Sequence, residues 1–340
     1  MPKKNPIIWA ITDSKVGHRN QVLGVAEALG HPFEIKEIKY TDFSVLPNFL
    51  KIGMFGTSLL GVDEERSDPL KKPWPDIVIA AGRRTAPIVR YIKRKAGKKC
   101  FACQIMWPGF PTSGIDLIAV PEHDEIIETR KIITTIGSPH RVTKETLSFE
   151  GEVWERTLDD LKKPRIAVLV GGSTAKHKFT QKHADLLAKM VKEMAENVRG
   201  SLMITTSRRT DKHIKDTLKR VVYSSSFIDI HFHDPMENKA NPYYAFLALA
   251  DLVVVTGDSI SMCSEACASG KPVFIYAPDD LLPYKHKIMH NSLFRRGFAS
   301  RLIRSTPKNI KEIINASLTV DIEPLNVSGF IAKKINERRK

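Results

Sequence analysis

Residues 165–173 read Arg-Ile-Ala-Val-Leu-Val-Gly-Gly-Ser. Six apolar-rich residues run straight into two glycines. That is how a strand buried on both faces ends at the turn into a helix. A helical pattern follows over Gln181–Glu196, then a strand over Ser201–Thr205. The same rhythm already occupies the first part of the chain, from Ile7–Thr12 onward. So Arg165 marks a restart, and the chain holds two α/β units in tandem.

Working outward, the first unit is expected to carry strands at Ile7–Thr12, Glu34–Lys39, Asp76–Ala81, Lys99–Met106, Leu117–Val120 and Lys131–Ile136. Helices fall at Asn20–Leu29 and from Ala86 to about Ala96. Residues 41–75, rich in Gly and Pro, form a longer excursion. Apolar periodicity fades over 141–164, which reads as a linker. In the second unit a helix at Thr210–Tyr223 is followed by a strand at Phe227–Phe232 and a helix at Asn241–Ala250. Strand Asp251–Val255, helix Ile260–Ser269 and strand Pro272–Tyr276 complete it, with further helical stretches near Pro307–Leu318 and Leu325–Lys340. The expected division is 1–140, linker 141–164, 165–320, and a basic C-terminal helix 321–340. The fold class is α/β, two Rossmann-like domains facing a cleft. In such sheets ligands sit outside the carboxyl ends of the strands.

Composition narrows the class. The chain has 340 residues, 42% of them hydrophobic, enough for sizeable cores. Its net charge is +15. Residues 1–164 carry 25 basic and 21 acidic side chains, a net of +4; residues 165–340 carry 28 and 17, a net of +11. The second half should favour anionic partners. No apolar run is long enough to span a bilayer or to form a signal-peptide core. Four cysteines do not make a disulfide scaffold, and a cytoplasmic setting is expected. Cys100 and Cys103 fall in a strand and point to opposite faces, so packing explains them better than a metal or redox pair. No metal site is expected.

The richest motif is Thr256–Pro272, TGDSISMCSEACASGKP. Asp258, Ser259 and Ser261 crowd a helix start, where free amides and the dipole favour an anion. Glu265 lies one turn beyond Ser261, and a single carboxylate can accept from two vicinal hydroxyls, as on a ribose. The bland alternative, a capped helix with a solvated Glu265, weighs about equally. Gly171, Gly172, Ser173 and Thr174 follow a strand and could let a phosphate approach the backbone. Ser207, Arg208 and Arg209 follow another, where an arginine fork suits a diphosphate. In the first half Asp13, Gly17, His18 and Gln21 follow the first strand, Arg83 and Arg84 a later one, and His123 sits between Glu122 and Asp124. Asp13, His18 and His123 are the candidate general bases. Gly17, Gln21, Arg83 and Arg84 are candidates for an acceptor. Basic runs at Arg90–Lys99 and Lys333–Lys340 read as solvated faces or as contacts to anionic lipid. Aromatics are not interleaved with those charges, which argues against nucleic acid.

These motifs resemble a known family. Trp9–Asp13 with Gly17 and Asn20-Gln21, Ala80–Pro87, Val120–Asp124 and Thr134–Val142 are similar to the bacterial branch of the mitochondrial-fission (elongated-mitochondria) family. So are Val170–Ser173, Thr206–Thr210, Asn241-Pro242-Tyr243 and Val255–Pro272. More widely, Ser264-Glu265-Ala266, Gly270 and Pro272 look like the nucleotide-sugar block of GT-B glycosyltransferases such as the enzyme that forms lipid II. That likeness implies a C-terminal domain holding a nucleotide-sugar donor, with Glu265 on the ribose and Gly172 and Ser173 at the diphosphate. It implies an N-terminal domain taking a membrane-associated or lipid acceptor, and no cofactor. The expected function is transfer of a sugar. The alternatives are an adaptor that keeps the scaffold without catalysis, and a sugar-nucleotide epimerase.

Overall fold

The computed structural model describes residues 5–41, 59–174, 177–317 and 322–339. Most of the expected Gly- and Pro-rich excursion before residue 59, the end of the expected helix at Leu318, residue 321 and Lys340 lie outside them. By contacts the chain divides into Met1–Arg141 with Asn326–Lys340, and Val142–Leu325.

The first unit carries β1 (Ile8–Thr12), α1 (Val16–Ala28), β2 (Glu34–Glu37), β3 (Ile77–Ala81), α2 (Ala86–Ala96), β4 (Phe101–Ile105), β5 (Leu117–Pro121) and β6 (Ile132–Thr135). The strands form one sheet in the order β2-β1-β3-β4-β5-β6, parallel throughout. β1, β3, β4 and β5 are buried along their whole length, which is why they read as continuous apolar runs. Val78, Ala80, Ala102, Ile118 and Val120 build the core with Trp9, Ile88 and Ile92.

The second unit carries α3 (Lys144–Leu158), β7 (Arg165–Val170), α4 (Gln181–Val198), β8 (Ser201–Thr206), α5 (Lys212–Val222), β9 (Asp229–His233), α6 (Tyr243–Leu249), β10 (Leu252–Thr256), α7 (Ile260–Cys267), β11 (Val273–Tyr276), α8 (Tyr284–Arg295), β12 (Ser300–Arg301) and α9 (Ile310–Ser317). Its sheet runs β12-β11-β10-β7-β8-β9, again parallel. The last helix, α10 (Val327–Arg338), belongs to the first unit.

Three features depart from the reading of the sequence. The expected linker contains α3, capped by Thr143, whose hydroxyl accepts from the Thr146 amide. Its exposed face carries too many charges for apolar periodicity to register. Helix α8 and the two-residue strand β12 fall in a stretch where no element is expected. The C-terminal helix is not a free basic tail: Ser328 donates to the His140 carbonyl at 2.6 Å and accepts from the His140 amide at 3.0 Å. A side chain on Gly24 of α1 would collide with that same carbonyl. No helix among the described residues is long and apolar enough to cross a membrane.

Both sheets reverse their direction of growth once. In the first, the chain goes from β1 to β2 on one side, then to β3 on the other. In the second, it goes from β7 through β8 to β9, then returns to β10 on the far side of β7. Loops leaving such a pair diverge to opposite faces and open a crevice at the strands' carboxyl ends. The loops after β1 and β3, and those after β7 and β10, carry the motifs singled out above.

Candidate functional site

At the crevice of the second unit the glycine loop is tied to the start of α7. The Gly171 amide donates to Thr256 Oγ1 at 2.7 Å and the Gly172 amide to Asp258 Oδ2 at 2.8 Å. Thr256 Oγ1 in turn donates to Asp258 Oδ1 at 2.7 Å. A Cβ on Gly171 would lie 2.2 Å from Asp258 Oδ2, and one on Gly172 2.3 Å from the Arg209 carbonyl oxygen. Both glycines are therefore required by internal close approach, and their amides face inward. The loop expected to let a phosphate approach the backbone thus has these two amides engaged with Thr256 and Asp258. Ser173 Oγ accepts from the Phe179 amide at 3.1 Å, and Thr174 closes a turn with His177.

The two arginines divide. Arg209 Nη2 meets Asp258 Oδ2 at 3.2 Å, and its Nη1 reaches the Gly172 and Ser173 carbonyls at 3.5 and 3.4 Å. Its charge is spent on a buried carboxylate. Arg208 is exposed on the same turn. Ser207 bonds Thr210 and the Arg209 amide and so shapes that turn. On α7, Ser259 caps the helix by accepting from the Met262 amide at 3.4 Å, and Ser261 is half-buried.

Glu265 is 7% exposed. Tyr243 Oη donates to its Oε2 at 2.7 Å. Burial pushes the Glu265 carboxyl up to about 7, against the Tyr243 bond, which lowers it. The Tyr243 hydroxyl is itself pushed well above its ordinary value, first by burial and then by the Glu265 charge. It therefore acts as a donor at any physiological pH. Asp258 precedes the Ser259 cap of α7, and Glu265 lies on that helix, seven residues further along the chain. His286 of α8 adds a ring at this edge, its Nδ1 3.1 Å from the Gly257 carbonyl. His286 is absent from the sequence reading, and Tyr243 enters it only as part of a motif, with no site role. The Asn-Pro-Tyr motif was visible, but its meeting with a residue 22 positions away was not.

In the first unit Asp13 is buried, and His18 Nδ1 lies 3.2 Å from its Oδ2. The carboxylate can only accept, so Nδ1 holds the proton and Nε2 presents a lone pair. Burial pushes the Asp13 carboxyl up, but the His18 bond and charge and the Lys15 amide outweigh it and hold it below its usual range. The His18 ring rests on Gly82, where a Cβ would stand 2.6 Å from Cε1. Gly82 has φ +86°, and Gln104 holds its carbonyl at 2.9 Å. Arg84 lies 5.9 Å from the Tyr40 ring centre, and the Arg83 stem would touch a Cβ on Gly109. Gly17 is exposed at the first turn of α1; Gln21 is buried a turn further on. His123 sits buried in a short turn after β5. In the sheet β5 is three places from β1, roughly 14 Å at the usual strand spacing. Asp13 and His18 are thus brought together, and His123 is not brought to them.

The basic run of α2 also faces partly inward. Arg90 is buried, and Lys93 reaches Asp116 at 2.7 Å. All four cysteines are buried free thiols.

Comparison with known proteins agrees with the two-unit architecture. The chain is 14% identical to the UDP-GlcNAc 2-epimerase of Neisseria meningitidis, solved bound to UDP-GlcNAc, with a TM-score of 0.56 over 98% of this chain and 99% of that one. It is 13% identical to Acinetobacter baumannii MurG, with a TM-score of 0.52 over 98% and 99%. At such identities these likenesses show the fold, which is of the GT-B type. In sequence it is 29% identical to the uncharacterized protein RP120 of Rickettsia prowazekii, over 96% of this chain and 97% of that one. It is also 29% identical to the mitochondrial fission protein ELM1 of Arabidopsis thaliana, over 67% of this chain and 57% of that one. The profile of the family described as Mitochondrial fission ELM1 matches residues 16–339, and the chain belongs to that family.

Proposed function

We propose that the chain transfers a sugar from a nucleotide-sugar donor to a membrane-associated acceptor. One observation carries the donor half: a buried carboxylate, Glu265, has a tyrosine donor on one oxygen and sits on the helix whose leading loop, through Asp258, holds the glycine loop at a topological switch point. A buried carboxylate with unused lone pairs is costly unless a ligand supplies donors. Vicinal ribose hydroxyls are such donors. The diphosphate lies toward the outer side of the Ser173–Thr174 turn, with the exposed Arg208 as a counter-charge. As the sugar C1–O bond to the diphosphate breaks, charge grows on the leaving oxygen. Arg208 and the α7 N-terminus then bind the transition state more tightly than the ground state.

For the acceptor half, His18 Nε2 removes the proton of an acceptor hydroxyl. The resulting oxygen forms the new bond to C1 while the nucleoside diphosphate departs. Asp13 holds the imidazole in the required tautomer and stabilises its protonated form. Arg83 and Arg84 suit an anionic acceptor. No step is routed through a metal or a cofactor.

The test is thermal stabilisation of the full chain by UDP, GDP and CDP. A cognate nucleotide at a hundredfold excess over Kd adds about 2.7 kcal/mol, and Glu265→Ala abolishes the effect. Stabilisation by none of them sinks the reading in favour of a non-catalytic adaptor. Free nucleoside diphosphate released in the presence of a lipid extract supports transfer. Conversion of one sugar nucleotide into another, without release, supports the epimerase.

A further inference from the structure

Residues 281–311 contain eight lysines and arginines and no aspartate or glutamate. The structure arranges this stretch as α8, β12 and the turn into α9. Along α8, Tyr284, Ile288, Asn291 and Arg295 recur at spacings of four, three and four, so they share one helix face. Tyr284 is 68% exposed. Ile288, Asn291, Phe294 and Arg295 line an open groove of about 390 Å³. Arg301 of β12 lies 5.8 Å from the Phe294 ring centre, and Ile303, 51% exposed, follows it. Within the stretch Lys287 faces an acidic partner, Asp279, at 3.4 Å. Arg295, Arg296, Arg301 and Arg304 are all exposed.

We infer that the α8–β12 face is a docking surface for anionic lipid, with Tyr284, Ile288 and Ile303 entering the headgroup layer and the arginines beside them pairing with lipid phosphates. Two observations favour a membrane over other polyanions. The apolar groups at this face include the exposed Ile303 and the half-buried Ile288 of the groove, which gain from burial among acyl chains but offer nothing to a nucleic-acid backbone. The cations lie beside these apolar groups: Arg295 lines the same groove as Ile288, and Arg301 lies 5.8 Å from the ring centre of Phe294, which also lines it. The basic segments singled out from the sequence are poorer candidates. In α2, Arg90 and Lys93 are turned inward. In α10, Lys334 pairs with Glu337, and Arg338 bonds the Arg130 carbonyl. The inference does not depend on sugar transfer.

Full-length protein is sedimented with phosphatidylcholine vesicles that lack or contain phosphatidylglycerol. Binding is expected only to the anionic vesicles. Each neutralised cation near such a surface should cost about fivefold in affinity, the equivalent of ~1 kcal/mol. Arg295→Gln with Arg301→Gln should therefore weaken binding about 25-fold and leave nucleotide-induced stabilisation unchanged. Lys333→Gln with Lys334→Gln should have little effect. A tryptophan placed by Tyr284→Trp should shift its emission to the blue on anionic vesicles and not on a soluble polyanion such as single-stranded RNA. Absence of vesicle binding overturns the proposal. So does loss of binding in the α10 pair alone, or tight RNA binding that the α8–β12 variants remove while vesicles stay unbound.

Discussion

Tyr243, the first residue of a short helix, donates a 2.7 Å hydrogen bond to Glu265, a buried carboxylate on the next helix of the same sheet. The tyrosine occupies one oxygen and partly offsets burial, which still leaves the carboxyl near neutrality. A charge kept marginal in this way is ionised most readily when further donors arrive.

That relationship fixes a pH dependence. The folded Glu265 titrates at about 7 and the unfolded one at the ordinary value of 4.5. The folded state therefore binds more protons between those values, and stability falls as pH rises through that window, levelling above it. The loss is at most about 3 kcal/mol. Glu265→Gln should flatten this part of the stability–pH curve, raising Tm above wild type at pH 8 but not at pH 4.5, while removing nucleotide binding. Parallel scans at the two pH values check it.

Asp258 and Arg209 should be energetically coupled. Asp258→Asn leaves Arg209 unpaired beside the glycine loop and weakens the Gly172 contact. A loss of about 1–3 kcal/mol is expected, smaller when Arg209→Gln is already present. A double-mutant cycle in urea measures the coupling. Additive effects would show that the ion pair does not hold the loop.

Gly171→Ala and Gly172→Ala place a methyl against Asp258 and the Arg209 carbonyl respectively. Overpacking of this kind costs roughly 1–3 kcal/mol. Both should also lose nucleotide stabilisation. The Gly172 variant should suffer more, because its neighbour is backbone and cannot rotate away.

His18→Ala should lower transfer by about 10²–10⁴-fold with nucleotide binding unchanged, because the imidazole acts on the acceptor alone. Asp13→Asn should approach the same loss through the wrong tautomer. Gly82→Ala displaces the His18 ring and strains a backbone at φ +86°. It should reduce the rate while leaving the nucleotide affinity intact. Steady-state rates beside nucleotide titrations separate these outcomes.

Asp13 carries a second linkage of opposite sign. Its carboxyl is held below the ordinary value, so the stability it adds is present above about pH 4 and is lost as pH falls further. Asp13→Asn should reduce the acid sensitivity of the fold, seen as a smaller drop in Tm between pH 5 and pH 3.

Sequence alone determined the strands. Runs such as Ile77–Ala81 and Leu252–Thr256 are buried on both faces, and burial on both faces demands unbroken apolar residues. It also marked the loops that follow them, because glycine and polar residues crowd where a strand must turn. Element edges and polar helices were less legible: α3 and α8 present mixed faces whose charge masks their period. What only the tertiary structure decided is which loops meet. Strand order brings β7 beside β10 and β1 beside β3, and these pairings join Gly172 to Asp258 and His18 to Gly82 across long separations in sequence. The same packing turned the Gly171 and Gly172 amides inward, gave Glu265 its tyrosine, and kept His123 three strands away from Asp13. Local propensity carries no information about such encounters, because they arise from how a whole sheet is ordered rather than from any one segment's preference.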